Sequence, residues 1–283
     1  MKYATFTVGQ PETTPRETIE QLASAGYTGA EWRITVDKGD TSKPGYWSGN
    51  RTTLQTDWPD AKFEEVASWQ EELGIEAAAL GTYVSCAEPD EVERMMEIAN
   101  ILGAPCIRVG PGRYDGSRSY RDIFDESLKQ FGTVAELAGK YGVKAGIETH
   151  PGLITTSASG AYLLPKHFPP EQVGVIHDAG NLVTEGYEHY QMAFEMLGDH
   201  LAHVHIKTNH WTSEPADPPL TVKWKAGWCP LRKGVVDFTF LLKSLQAVGY
   251  DGWLSFEDFS DEASQEEKVL DNIAFVKEIE AGL

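Results

Sequence analysis

The chain has 283 residues, 41% hydrophobic and 24% charged, a globular composition that excludes disordered, collagen-like and low-complexity classes. Asp and Glu number 43 against 24 Lys and Arg, giving a net charge of −19. A surface this acidic repels phosphate backbones and anionic lipid, and no basic cluster offsets it, so neither nucleic acid nor membrane is expected as a partner. No run of about 18 apolar residues exists to span a bilayer. Residues 1–9 are too short and too polar for a secretion signal and read as a strand. Cys86, Cys106 and Cys229 are odd in number and widely spaced. They form neither a disulfide framework nor a metal knuckle, and a reduced, cytoplasmic protein is expected.

In chain order, β-rich runs occur at 3–9, 29–34, 74–82, 106–111, 144–150, 173–178, 201–207 and 253–258. Helical patterns fill the gaps. Thr14-Pro15-Arg16-Glu17 is a capping box with Pro at the first helical position, and Gly26 stops that helix. Tyr120, Ile123, Phe124, Leu128, Phe131, Val134 and Leu137 recur at helical spacing, as do Val269, Ile273, Val276 and Ile279. Strict alternation argues for parallel βα units, and eight such units close a (β/α)8 TIM barrel. No linker-like break divides the chain, so residues 1–283 are expected to form a single domain. An open doubly wound sheet is the alternative. Gly110-x-Gly112-x-x-x-Gly116 has the wrong spacing for a dinucleotide loop and follows the fourth strand. The long connections 35–57 and 208–235 follow strand C-termini, the active face of a barrel. The second carries Trp211, Trp224 and Trp228 and is expected to lie over the substrate, with an oligomer contact as the bland alternative.

Alternation within the strands predicts the site. Glu148 and His150 share the inward face of strand five if Ile147 faces the helices. Asp178 ends strand six, with His177 on the opposite face as a structural residue. Outward packing of Ala202, Val204 and Ile206 turns His203, His205 and Lys207 inward. Leu254 and Phe256 outward place Glu257 inward and turn Asp258 away. Strands five to eight thus each present an acidic or imidazole group at the C-terminal mouth. Crowded buried carboxylates are costly without a countercharge, and a divalent cation removes that cost. Two Glu, one Asp and one His suit Mn²⁺, Mg²⁺ or Co²⁺ with positions open to substrate. Singly, each residue has a bland reading: Glu148 could pair with an arginine, and Asp178 could cap Ala179-Gly180-Asn181.

The segments Gly-Ile-Glu148-Thr-His150, Gly-Val-Ile-His-Asp178-Ala-Gly-Asn181, His203-Val-His205-Ile-Lys207 and Gly-Tyr250-Asp-Gly-Trp253-Leu-Ser-Phe-Glu257 together resemble the signatures of one family. This is the sugar phosphate isomerase/epimerase group of the xylose-isomerase-like TIM barrel superfamily, which includes ketose 3-epimerases, inosose dehydratases and endonuclease-IV-type enzymes. The resemblance spans nearly the whole chain. It implies metal ligation by Glu148, Asp178, His205 and Glu257, with Mn²⁺ the expected ion. It implies that Glu148 and Glu257 also move the substrate proton. Two positions depart from the ketose epimerases: Asn181 stands where they carry a substrate-binding His, and Trp211 where they carry an Arg. The nuclease branch is unsuited to this acidic chain.

The expected chemistry is proton abstraction next to a carbonyl, as in a metal-dependent isomerase or epimerase of a sugar, sugar derivative or cyclitol. The alternative is a lyase or dehydratase that eliminates a β-substituent from an oxo-sugar or 3-oxo-glycoside, with His150 as a further base. A non-catalytic sugar-binding barrel is the second alternative. Lys207, Asn181, Trp211, Arg108 and Trp32 are expected to contact the carbohydrate. The partners anticipated are this small molecule and either a second copy of the chain or a small partner subunit.

Overall fold

The computed structural model describes residues 1–219 and 221–283, and its eight parallel strands close on themselves. In chain order the barrel strands are β1 (Lys2–Phe6), β2 (Gly29–Arg33), β3 (Glu76–Gly81), β4 (Cys106–Arg108), β5 (Lys144–Glu148), β6 (Val173–Asp178), β7 (Leu201–Ile206) and β10 (Trp253–Phe256). Each pairs with its neighbours in sequence order, and β10 pairs with both β7 and β1 to complete the ring. Around it run α1 (Pro15–Ala25), α2 (Asp60–Leu73), α3 (Pro89–Leu102), α4 (Tyr120–Tyr141), α5 (Ala158–Tyr162), α6 (Ala179–Thr184), α7 (Tyr190–Leu197), α8 (Phe238–Ala247) and α9 (Gln265–Glu280). The fold is the (β/α)8 barrel expected from the sequence. Among the described residues, no helix is long and apolar enough to cross a membrane.

Local chemistry explains the helix boundaries. Thr14 and Glu17 form a complete capping box at α1, and Gly26 ends the helix in the left-handed region at φ 87°. Ile123, Phe131, Val134 and Ala138 form the buried stripe of α4. On the strands, Ala30, Trp32, Ile34, Val204, Ile206, Leu254 and Phe256 join the apolar layer beneath the helices. Each fully buried large side chain there contributes about 1.5–3 kcal/mol. Their alternation partners turn into the barrel, and this phase places the site.

Several strands end earlier than their hydrophobic runs. β1 stops at Phe6 because Thr7–Gly9 coil into a 3-10 turn. β5 stops at Glu148: the His150 amide turns back to the Thr155 carbonyl at 3.1 Å. The mouth residues therefore stand on strand ends and the first turns beyond them.

The connection 35–57 is irregular but pinned. Asp37 Oδ1 accepts from the Gly39 and Gly49 amides, both at 2.9 Å, and Oδ2 from the Asn50 amide at 3.1 Å and Arg33 Nη1 at 3.0 Å. Burial opposes its ionisation, but these four donors win and hold the Asp37 carboxyl below its ordinary range. The stability it supplies is therefore complete above the ordinary carboxylate range and is lost as pH falls. Asp37→Ala strands the buried Arg33 guanidinium and should cost about 2–3 kcal/mol. A melting point several degrees lower at pH 7, with the gap to wild type closing on acidification, is the expected result.

The connection 208–235 is more ordered than a loop. It contains an antiparallel hairpin of β8 (Asn209–Pro215) and β9 (Val222–Trp228), paired from Asn209↔Trp228 to Pro215↔Val222. Trp211, Val222, Trp224 and Trp228 fall on one face of this ribbon and Thr212, Glu214, Lys223 and Lys225 on the other, as period-two alternation requires. Both strands are largely exposed.

Candidate active site

At the C-terminal mouth, one donor atom from each of Glu148, Asp178, His205 and Glu257 lies within 4.8 Å of the others. Glu148 and Asp178 end β5 and β6, His205 stands on β7, and Glu257 follows β10. All four are buried. His205 Nδ1 is 3.4 Å from Glu148 Oε1, 3.4 Å from Asp178 Oδ2 and 3.4 Å from Glu257 Oε1.

Cations and amides reach the same carboxylates. Arg108 Nη1 donates to Glu148 Oε2 at 2.7 Å. Lys207 Nζ lies 2.8 Å from Glu257 Oε2 and 3.2 Å from Asp178 Oδ2, and donates to Asn181 Oδ1 at 3.0 Å. Asp178 Oδ1 accepts from the Asn181 amide at 2.7 Å, capping α6. Asn181 Nδ2 reaches Glu148 Oε1 at 3.3 Å. The bland readings of Glu148 and Asp178 are thus both realised, on the oxygens that face away from His205 or beside it.

His205 is held from behind. Its Nε2 lies 3.1 Å from Glu31 Oε2, and His203 Nε2 lies 3.0 Å from the same oxygen. Glu31, on β2, is fully buried. Burial would lower His205, but Glu31 and Glu257 outweigh it and hold the imidazolium well above its ordinary pKa. Burial raises Glu31, yet His205 and His203 bring its carboxyl well below the usual range. Burial raises Glu148 and Asp178 too, and Arg108 and Lys207 respectively prevail, leaving both carboxyls lowered. Glu257 differs: burial dominates, and its carboxyl is raised despite Lys207.

These contacts fit a divalent cation. The Nδ1 proton of an imidazolium can serve only one of three equidistant anionic oxygens. Lys207 also reaches Asp178 Oδ2 and Asn181 reaches Glu148 Oε1, but three carboxylate oxygens still converge on that one proton. A cation in place of that proton meets all of them at once. Donors about 2.1 Å from one ion lie roughly 3.0–3.4 Å apart, the spacing found here. With Nε2–H committed to Glu31, Nδ1 becomes the lone-pair donor. The cluster of Glu31, His203 and His205 could also group donors. Its two Nε2–H···O contacts already satisfy it, and it serves as support.

Beside the four donors opens a cleft of about 240 Å³, lined by Phe6, Trp47, Thr82, Tyr83, Val84, Arg108, Gly110, Arg113, Glu148, His150, Lys207 and Glu257. His150 Nδ1 contacts the Pro151 carbonyl at 2.7 Å, which assigns the proton to Nδ1 and leaves Nε2 as an acceptor. Arg108, Lys207 and His150 are thus brought to the cleft, and Asn181 to its donor set.

Two expected substrate residues are placed elsewhere. Trp32 is fully buried in the outward layer, where Nε1 donates to Gln70 Oε1 at 3.0 Å. Its phase on β2 is that of Ala30 and Ile34, so it faces helices and not the mouth. Trp211 lies on the projecting hairpin and does not line the cleft. Among the described residues, none of the hairpin lines the cleft that it is expected to cover. Trp47, from the connection after β2, lines it instead. Trp228, at the base of the hairpin, meets the mouth through Phe259, with ring centroids 5.4 Å apart; Trp47 packs on the same ring at 5.1 Å. His177 is structural: it is buried against Phe194 and Tyr190, and burial takes its pKa down to about 4.

Glu31, Tyr83 and Arg113 were not anticipated. Alternation could have found Glu31, since outward Ala30 and Trp32 leave it pointing inward. Tyr83 stacks under Arg108, 4.7 Å from its guanidinium carbon, but belongs to no strand pattern.

With this geometry in hand, the chain belongs to the xylose isomerase-like TIM barrel family, whose pattern it matches over residues 19–279. Inosose dehydratase of Geobacillus thermodenitrificans is 26% identical over 148 residues, 50% of this chain and 48% of that protein. The chain spans about half the length of the curated relatives it matches. Among solved structures, the 3-keto-D-glucoside 4-epimerase of E. coli superposes with a TM-score of 0.71 at 16% identity, covering 98% of this chain and 99% of that one. A xylose isomerase-like barrel from Mycobacterium smegmatis in complex with magnesium gives 0.69 at 15%, covering 98% and 96%. At these identities the structural likeness establishes the fold. The relatives and neighbours include epimerases and dehydratases, and the present chain carries a candidate divalent-metal site.

Proposed function

We propose that the protein is a divalent-metal-dependent isomerase or epimerase of a sugar or sugar derivative, a single barrel domain over residues 1–283 that moves a proton next to a carbonyl. The observation that carries this reading is His205 Nδ1 equidistant from three carboxylate oxygens, beside an open cleft. Glu148, Asp178, His205 and Glu257 would hold the ion, with Mn²⁺ expected and Mg²⁺ or Co²⁺ as alternatives. A bound cation would lower the cost of negative charge developing on a substrate oxygen. Glu148 and Glu257 line the cleft from separate strands and can each take or return a proton. Lys207 and Arg108 hold their distal oxygens and so fix which oxygen faces the substrate. Asn181 braces Glu148 and Lys207, and Trp47, Tyr83 and Phe6 limit the access of water.

His150 supports a second reading. It lines the cleft two residues beyond Glu148 and belongs to no donor set, so its Nε2 can serve as a base for β-elimination by a dehydratase or lyase. The test is metal analysis of protein purified without chelator, followed by solvent deuterium exchange into a panel of ketoses, inososes and 3-oxo-glycosides. About one metal per chain and exchange abolished by EDTA are expected. Full exchange after EDTA treatment overturns the metal reading, and elimination products in place of epimers select the second chemistry.

A further inference from the structure

We infer that the cleft recognises a substrate carrying an anionic group, a carboxylate or a phosphate, through Arg113. This inference deepens the proposed function and rests on the metal-bound form of the site.

Seven of the nine arginines hold a carboxylate within 4.0 Å. Among the described residues, Arg113 and Arg121 have no such partner. Both are exposed; Arg121 projects from α4, whereas Arg113 lines the cleft.

Its position is built. The Tyr114 amide donates to the Gly152 carbonyl at 3.0 Å, and the Ile154 amide to the Gly112 carbonyl at 3.1 Å. Arg113 bridges Leu153 between these bonds. The segment after β4 is thereby stitched to the turn after β5 that carries His150. A Cβ on Gly152 would stand 3.7 Å from Arg113 Nη2, so the guanidinium lies against that turn.

Charge balance gives the position a role. Glu31, Glu148, Asp178 and Glu257 are faced by Arg108 and Lys207, and a divalent ion completes the neutralisation of the buried set. Arg108 is spent on Glu148 and the Thr82 carbonyl, and Lys207 on Glu257, Asp178 and Asn181. Arg113 is the cation left over, with its planar donors unassigned. Carboxylate and phosphate both match that fork.

Three ligands that share one skeleton test this: D-fructose, D-fructuronate and D-fructose 6-phosphate, which differ in the group at carbon six. Calorimetric binding to the manganese-loaded protein should favour at least one anionic member over D-fructose by about tenfold or more. Which anion wins distinguishes carboxylate from phosphate. Arg113→Gln should reduce that advantage about 10–100-fold, and Arg113→Lys should restore part of it. Equal binding of all three, or an advantage unchanged in Arg113→Gln at unchanged melting temperature, overturns the inference. Deuterium exchange is scored separately. An anion preference without exchange in any ligand counts against the proposed reaction and sustains the Arg113 assignment. Exchange that is indifferent to charge does the reverse.

Discussion

Glu257→Gln should slow washout of a deuterium label from the substrate carbon about 10²–10⁴-fold at saturating metal, the usual contribution of a positioned acid–base group. Gln keeps the shape and can still accept from Lys207, but it has neither charge nor basicity. The fold should survive the change. Burial raises the Glu257 carboxyl in the metal-free protein, so its ionisation opposes folding there, and this opposition grows as pH rises through the carboxylate range. Neutralising the residue removes that effect, and the metal-free variant should melt no lower than wild type at pH 7. Asp258→Asn is the control. Asp258 Oδ1 accepts from the Ser260 amide at 2.9 Å and from Ser260 Oγ at 2.6 Å, away from the four donors. Its exchange rate should stay within about tenfold of wild type. Near-normal exchange in Glu257→Gln with the metal retained would remove Glu257 from proton transfer.

The sequence was most legible where local pattern and tertiary role coincide. The strand 173–178 is observed with its predicted ends, because a run buried on both faces is read from its composition alone. Glu148, Asp178, His205 and Glu257 converge because alternation on parallel strands is set by the hydrophobic partners beside them. What was missed depends on distant partners. Glu31 lies 172 residues from His203 and 174 from His205, and nothing near it in the chain signals two imidazoles. Trp32 invites a carbohydrate contact by its chemistry, but the phase of Ala30 and Ile34 turns it outward. The hairpin reads as a loop although Val222, Trp224, Ala226 and Trp228 alternate; Pro215 at the end of β8 and Pro218 and Pro219 beyond it mask the period. The role of Asp37 rests on backbone amides, which every residue carries and no sequence pattern marks.

Glu31→Gln should weaken metal binding about 10–100-fold without changing any of the four donors. Two imidazole Nε2 atoms meet Glu31 at 3.0 and 3.1 Å, and a carboxylate can accept from both. Both meet Oε2, and His205 Nε2 also lies 3.3 Å from Oε1. An amide accepts through its oxygen only, so its NH₂ group at either place would face an imidazole as a donor. If that imidazole is His205, its proton moves to Nδ1, and the lone pair aimed at the carboxylates is lost. A second effect opposes this one. Glu31 is first among the charges that hold His205 protonated, so its removal eases loss of the proton that competes with the metal. The two separate by pH. Wild-type affinity should rise with pH as the His205 proton is given up, and in Glu31→Gln this rise should begin at lower pH. The deficit is therefore largest at high pH, where proton competition has vanished in both proteins. Manganese titrations from pH 6 to 9 read both quantities. A deficit that shrinks with rising pH would mean that Glu31 acts by charge alone and does not orient the imidazole.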